Sequence, residues 1–196
     1  MPYQTLIAAY NIGINTWAFE LSKEIASPAL NSAMHIIGES LIVVLPLLVL
    51  YMYLRKDSNT YSLVFAGILL YIISDAIKIL VAEPRPCNVS ALSWINHISC
   101  ENTFSFPSNH ASVLTGLPLF LGKYRILQAL YIIWVVLVLF GRVYLGLHYL
   151  TDIIAGVAIS LVVSYAIFLY RSRINSAIDS AVKKILPRLA ISSRRK

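Results

Sequence analysis

Residues 33–54 and 60–81 form two long, predominantly apolar stretches. At 1.5 Å per residue each would measure about 33 Å as an α-helix, enough to cross a hydrocarbon core of about 30 Å. Their apolar residues run on rather than alternate, which excludes a porin-like barrel and any disordered or coiled-coil reading. Composition agrees, with 58% hydrophobic and 13% charged residues, where soluble domains carry roughly 25% charged. The sequence predicts an all-α integral membrane helix bundle, one domain over residues 1–196, without internal repeat or low-complexity linker.

Residues 126–142 and 153–170 are further spans, and the stretch Ser108–Gly122 is a shorter one of about 22 Å. Five crossings result. A helix too short to reach both surfaces leaves its first residues recessed in a hollow below one membrane face. Arg55 and Lys56, then Lys123 and Arg125, then eight basic residues after position 170 share one side. By the positive-inside rule that side is cytoplasmic, so the 82–107 and 143–152 connections lie outside. Lys23, Lys78, Arg85 and Arg142 fall on the outward side, where the rule expects few cations.

Before the first span, Leu6, Tyr10, Ile14, Trp17 and Leu21 recur at helical spacing, with Asn11, Asn15 and Ser22 opposite. Residues 3–24 read as an amphipathic helix on the outer surface, within an interfacial segment 1–25; a sixth, polar crossing is the alternative. The transmembrane core covers 33–170. In the basic cytoplasmic tail 171–196, a stripe of Ile174, Ile178, Ala181 and Ile185 beside Lys183, Lys184 and Arg188 suits an inner-leaflet anchor to anionic lipid.

The net charge of +7 does not point to nucleic acid, because the basic residues sit between and after apolar runs rather than on one solvated face. Neither a Cys/His cluster with zinc spacing nor a Walker-type loop occurs, so no metal and no cofactor is expected.

Alternating topology brings the polar ends of several segments to the outward side. Lys78 and Arg85-Pro86 follow the 60–81 span, Pro107-Ser108-Asn109-His110 opens the short helix, and Arg142, His148 and Asp152 join the last two spans. Three cations can neutralise a phosphoryl dianion, and two are arginines, whose planar forks bind phosphate oxygens in pairs. Ser108 and the N–H groups of Asn109 and His110 would occupy a first helical turn, which favours an anion. His148 and Asp152 are four apart, so the carboxylate can accept from one ring nitrogen and leave the other free to attack. With His110 as a second imidazole, the set offers a nucleophile, its orienting base, a proton donor and an electrostatic clamp.

These three segments, Lys78 with Arg85-Pro86, Pro107-Ser108-x-His110, and Arg142 with His148 and Asp152, resemble the signature motifs of the type 2 phosphatidic acid phosphatase family, which is shared with vanadium-dependent haloperoxidases. The resemblance covers roughly residues 60–170. It implies a metal-independent lipid phosphatase with a phosphohistidine intermediate, in which His148 is the nucleophile, Asp152 its orienter and His110 the acid that protonates the leaving group. Lys78, Arg85, Ser108, Asn109 and Arg142 would hold the phosphoryl group. Two positions depart from the usual pattern: Asn109 stands for the common glycine and Gly141 for the common serine. The haloperoxidase reading conflicts with the membrane composition. The short chain, the surface helix and Glu83-Pro84-Arg85-Pro86 are most similar to undecaprenyl and dolichyl diphosphate phosphatases.

The expected substrate is a polyprenyl diphosphate, hydrolysed at the outer face of the cell membrane, with phosphatidylglycerophosphate or phosphatidate as the alternative. Outside the enzyme class, a lipid-phosphate transporter or binding protein would also use an outward cationic pocket. Membrane lipids are the other expected partners; no protein partner is evident. Glu39, inside the first span, is an intramembrane carboxylate and a candidate accessory group beside Glu83. Asp75 reads as a helix partner of Lys78, and His35 and His97 as interfacial or loop residues. Cys87 and Cys100, the only two cysteines, lie in the outward connection, where disulfides persist, and are expected to pair.

Overall fold

The computed structural model describes residues 12–89 and 100–185, and among them every regular element is helical. Helix α1 is Gly13–Glu24, α2 Pro28–Glu39, α3 Leu41–Leu54, α4 Asn59–Val81 and α5 the short Pro86–Val89. After the 100–108 segment come α6, Asn109–Leu114, a 3-10 helix Leu117–Leu121, α7, Arg125–Tyr144, and α8, Leu150–Ile185. The helices that begin at Asn59, Arg125 and Leu150 are long and apolar enough to cross a membrane, and α2 with α3, bent by 41°, can make a fourth span. The break falls at Ser40, whose hydroxyl turns back on the Ile37 carbonyl at 2.6 Å.

The stretch expected as a short span is helical but split into α6 and the 3-10 helix, together about 19 Å long. It runs through the middle of the bundle: Leu114, Leu117, Phe120 and Leu121 are buried with Leu63 and Ala66 of α4 and Val135 and Val138 of α7. It also joins the two ends. Ser108 N–H meets the Asp152 carbonyl at 3.3 Å, whereas Tyr124 packs edge-on against Tyr51 at 5.5 Å and Lys123 lies 4.0 Å from Asp57. Protein packing rather than lipid surrounds this element, so it need not match the bilayer thickness. Ile42, Ile68, Leu80, Ile126 and Val162 are exposed on the long helices, as lipid-facing side chains are.

Helix α1 presents Ile14, Trp17 and Leu21 outward. Its polar face turns to the bundle: buried Asn15 donates to Thr151 Oγ1 and accepts from Thr151 N–H, both at 3.1 Å. A membrane rewards that orientation, since the bundle satisfies the amide and lipid takes the apolar stripe. Leu6, Tyr10 and Asn11 lie outside the described residues. At the other end α8 continues unbroken to Ile185, where buried Asn175 accepts from the N–H and hydroxyl of Ser62 at 3.0 and 2.6 Å. The expected tail thus begins as part of the packed bundle; Arg188 lies outside the described residues.

Candidate active site

Three local devices aim the polar residues inward. Helix α4 stops at Ala82, which adopts a left-handed conformation with φ 52°; Pro84 and Pro86 then forbid continuation, and Arg85 folds back over the end of the bundle. Helix α7 ends in a Schellman motif. Gly146, at φ 63°, gives its N–H to Val143 at 2.8 Å and Leu147 gives its N–H to Arg142 at 3.0 Å, a geometry that favours glycine. At the start of the next helix Asp152 Oδ2 accepts the Tyr149 N–H at 2.9 Å, a carboxylate at the third position of α8 reaching back to cap its start. The same oxygen lies 3.2 Å from His148 Nδ1.

Lys78, Arg85, Ser108, Arg142, His148 and Asp152 are all at most 3% exposed. Arg85 is held from four sides: Nε donates to Thr103 O at 2.8 Å, Nη1 to Leu147 O at 2.9 Å, and Nη2 to Thr103 Oγ1 at 2.7 Å and Glu101 Oε2 at 2.6 Å. Its Nη1 also stands 3.1 Å from His148 Nε2. Lys78 Nζ donates to the carbonyls of Phe104 and Ser105, both at 2.9 Å. Ser108 caps α6, its hydroxyl accepting from the Ala111 N–H at 3.5 Å. Arg142 pairs with Glu101 Oε1, and its buried Nε has no partner among the described residues, an open donor suited to an anion.

The chain segment before α6 contributes residues that the sequence did not single out. Glu101 bridges both guanidinia, and Ser105 donates its hydroxyl to Asp152 Oδ2. Burial alone would raise the Glu101 carboxyl, but Arg142 and Arg85 outweigh it and hold its pKa below the usual 4.5. The signal for Glu101 was a charge balance: three buried cations faced one assigned acid, and Glu101 directly follows Cys100 on the same side.

The two expected accessory groups meet the cluster at its edge. Glu39, at the end of α2 and half exposed, is 3.5 Å from Arg142 Nη1; Glu83 supplies its backbone carbonyl to the Ser105 N–H at 2.6 Å. Asn109 turns its amide to α4, accepting from Ser74 Oγ at 2.7 Å. Gly141 packs on α2: an added Cβ would stand 3.3 Å from the Met34 carbonyl, so a larger residue there would press the helices apart. Cys87 and Cys100 are bonded to each other, tying Arg85 and Glu101 into one frame. His35 is exposed on α2, and His97 lies outside the described residues.

A cavity of about 580 Å³ opens from this cluster. His110, His148, Lys78, Arg85 and Glu101 line its head, and Asp75 lies in its wall near Lys78. Leu41, Leu45 and Val49 of α3 face Val64, Ile68 and Tyr71 of α4 along its apolar length. Such a shape holds a charged head group while its tail stays among the helices. No three His, Cys, Asp or Glu side chains among the described residues converge as metal ligands.

The pattern of the PAP2 superfamily matches residues 59–176. Over 153 residues, 74% of this chain and 73% of the relative, the sequence is 29% identical to an undecaprenyl-diphosphatase of Sulfolobus acidocaldarius. A stretch of 77 residues is 39% identical to a lipid A 4'-phosphatase of Porphyromonas gingivalis, covering 36% of this chain and only 33% of that protein. Among solved structures, the PAP2-type phosphatidylglycerolphosphate phosphatase of Bacillus subtilis superposes with a TM-score of 0.62 at 22% identity, over 87% of this chain and 92% of that one. Aquifex aeolicus LpxE gives 0.65 at 20% identity, over 82% and 98%. The two structures share its fold, and the family pattern spans more than half of its length: the chain belongs to the PAP2 superfamily, as a multi-pass membrane member.

Proposed function

We propose that this protein is a metal-independent lipid phosphatase that removes the terminal phosphate of a polyprenyl diphosphate at the outer face of the membrane. The observation that carries the reading is the pairing of His148 with Asp152 at the head of the apolar corridor, with Nε2 of the ring directed at Arg85. An arginine can only donate, so Nε2 accepts and Nδ1 carries the proton toward Asp152. His148 Nε2 then attacks phosphorus, forming a P–N bond as the P–O bond to the lipid breaks. His110 gives a proton to the departing oxygen, and in the second step takes one from the water that cleaves the P–N bond. Lys78, Arg85 and Arg142 supply the positive charge that a metal ion supplies elsewhere.

The diphosphate reading rests on three supports: the cations at the corridor head, the length of apolar wall below them, and the likeness to a protein named undecaprenyl-diphosphatase. The outward orientation rests on Arg55, Lys56, Lys123 and Arg125 gathering at the end opposite His148. Phosphate release by the purified protein, with a polyprenyl diphosphate and phosphatidylglycerophosphate at equal surface fraction, tests the proposal. The diphosphate should be favoured in kcat/KM by at least about tenfold. Equal or reversed preference moves the substrate to the phospholipid class. His148→Ala retaining more than about a hundredth of wild-type turnover removes the covalent role. No phosphate release from either lipid leaves a binding or transport protein.

A further inference from the structure

At the end of the bundle away from His148, a second cleft of about 1010 Å³ opens between α3 and α7. Its origin is the bend at Ser40. Helix α2 packs along α7, but beyond the 41° break α3 leans away from it. The apex is fixed by the Trp134 indole donating to Ser40 Oγ at 2.9 Å, and the far end is closed by the Tyr51–Tyr124 ring contact. Leu48 and Tyr131 form a buried floor, and exposed Leu47 and Leu130 form the lips.

The mouth is cationic. Lys123 and Arg125 line it, and Arg55 lies beside Tyr124. Asp57, 4.0 Å from Lys123, offsets one of these three charges. An apolar slot with surplus positive charge where the helices meet the membrane surface matches one chemistry: a hydrocarbon chain carrying an anionic head group. We propose that the cleft binds an anionic phospholipid of the leaflet opposite the catalytic end, its chain between Leu47 and Leu130 and its phosphate against Lys123 and Arg125. Helix α3 is the shared wall. Leu41, Leu45 and Val49 face the catalytic corridor, whereas Val44, Leu47 and Tyr51 face the cleft, so the bound lipid backs the helix that walls the substrate path.

Trp134 in the cleft is a built-in reporter, one of three tryptophans. The full chain carrying Trp17→Phe and Trp94→Phe would be placed in phosphatidylcholine bilayers with chain-brominated phosphatidylglycerol or chain-brominated phosphatidylcholine. Brominated phosphatidylglycerol should quench Trp134 at a surface fraction lower by at least about fivefold, the advantage expected of each effective cation at the mouth. Lys123→Gln with Arg125→Gln should erase the difference, and Leu47→Phe with Leu130→Phe should weaken quenching by both lipids. Phosphate release by each variant reports that it is folded. Equal quenching by the two lipids in the reporter protein overturns the proposal. So does protection of Trp134 that grows with protein density in the bilayer, which would assign the cleft to a second copy of the chain.

Discussion

Arg85 Nη1 lies 3.1 Å from His148 Nε2, and this contact sets the tautomer of the histidine. A guanidinium has no lone pair to offer, so Nε2 must present its own, and the ring proton resides on Nδ1, 3.2 Å from Asp152. The same surroundings disfavour the imidazolium. Burial first, then Arg85, Arg142 and Lys78, hold the His148 pKa well below the usual 6.5.

A pH dependence of stability follows. With the folded pKa lowered, the unfolded chain binds a proton below about pH 6.5 that the native protein refuses. This part of the stability is fully present above that pH and is lost as pH falls, by up to about 1.4 kcal/mol per unit. His148→Gln removes the titration. Between pH 7 and 5.5 the wild-type protein should lose more thermal stability in detergent than the variant, by about 1.4 kcal/mol at the acid end. Parallel losses would show that His148 does not resist protonation.

Ser105 donates to Asp152 Oδ2, and Lys78 holds the Ser105 carbonyl at 2.9 Å. The serine holds the carboxylate that faces the ring, and its hydroxyl also lies 3.4 Å from His148 Nδ1, on the side of the imidazole away from Nε2 and outside the cavity lining. Ser105→Ala should therefore lower kcat about tenfold, the value of one hydrogen bond to a charged group, and leave KM within about twofold. Steady-state kinetics with one lipid substrate separates the two constants. A change confined to KM would contradict the positioning role.

Much of the cluster was legible in the sequence because helix periodicity and topology decide it. Lys78 near the end of α4, Ser108 at the start of α6 and the four-residue step from His148 to Asp152 need only regular geometry. The span lengths followed from hydropathy for α4 and α7, but the break at Ser40 did not, since the contacts found there, the hydroxyl on the Ile37 carbonyl and the Trp134 indole on the hydroxyl, leave no mark in the hydropathy of an apolar run. Glu101 and Ser105 were hidden for a related reason. They lie in the irregular 100–108 segment, whose path depends on Arg85, Lys78 and the Cys87–Cys100 bond, and no periodic signal reports such contacts. Gly141 also became intelligible only through its neighbour, the Met34 carbonyl on α2.

Glu101 places one carboxylate oxygen on each of two arginines that a phosphate would use. Held below its usual pKa, it stays ionised through the neutral range and competes with incoming anions. Glu101→Gln removes the negative charge while keeping the shape. Vanadate, which resembles the transferring phosphoryl group, should then inhibit at about tenfold lower concentration, a 1.4 kcal/mol gain. Inhibition curves at constant pH read this directly. Weaker vanadate inhibition would mean that Glu101 shapes the anion site rather than contests it.

The Cys87–Cys100 bond ties the short helix after Arg85 to the residue before Glu101, across a sequence separation of 13. Cys87 is anchored further by its N–H on the Gly146 carbonyl at 3.0 Å, so the bridge links both arginine-bearing corners of the cluster. Constraining a loop of that size in the unfolded chain contributes roughly 3 kcal/mol by the chain-entropy estimate. For a chain of this length that corresponds to about 6–12 °C in Tm. Cys87→Ser with Cys100→Ser should lower Tm by that order. It should also raise KM more than it lowers kcat, because Glu101 and Arg85 lose their common frame while His148, Asp152 and Ser105 keep theirs. The two effects are separable by assaying well below the lowered Tm. A variant as stable as the wild type, with two thiols found in the non-reduced wild-type protein, would show that the bond does not form. A loss of kcat with KM unchanged would instead place the effect of the bridge on the nucleophile and not on the phosphate clamp.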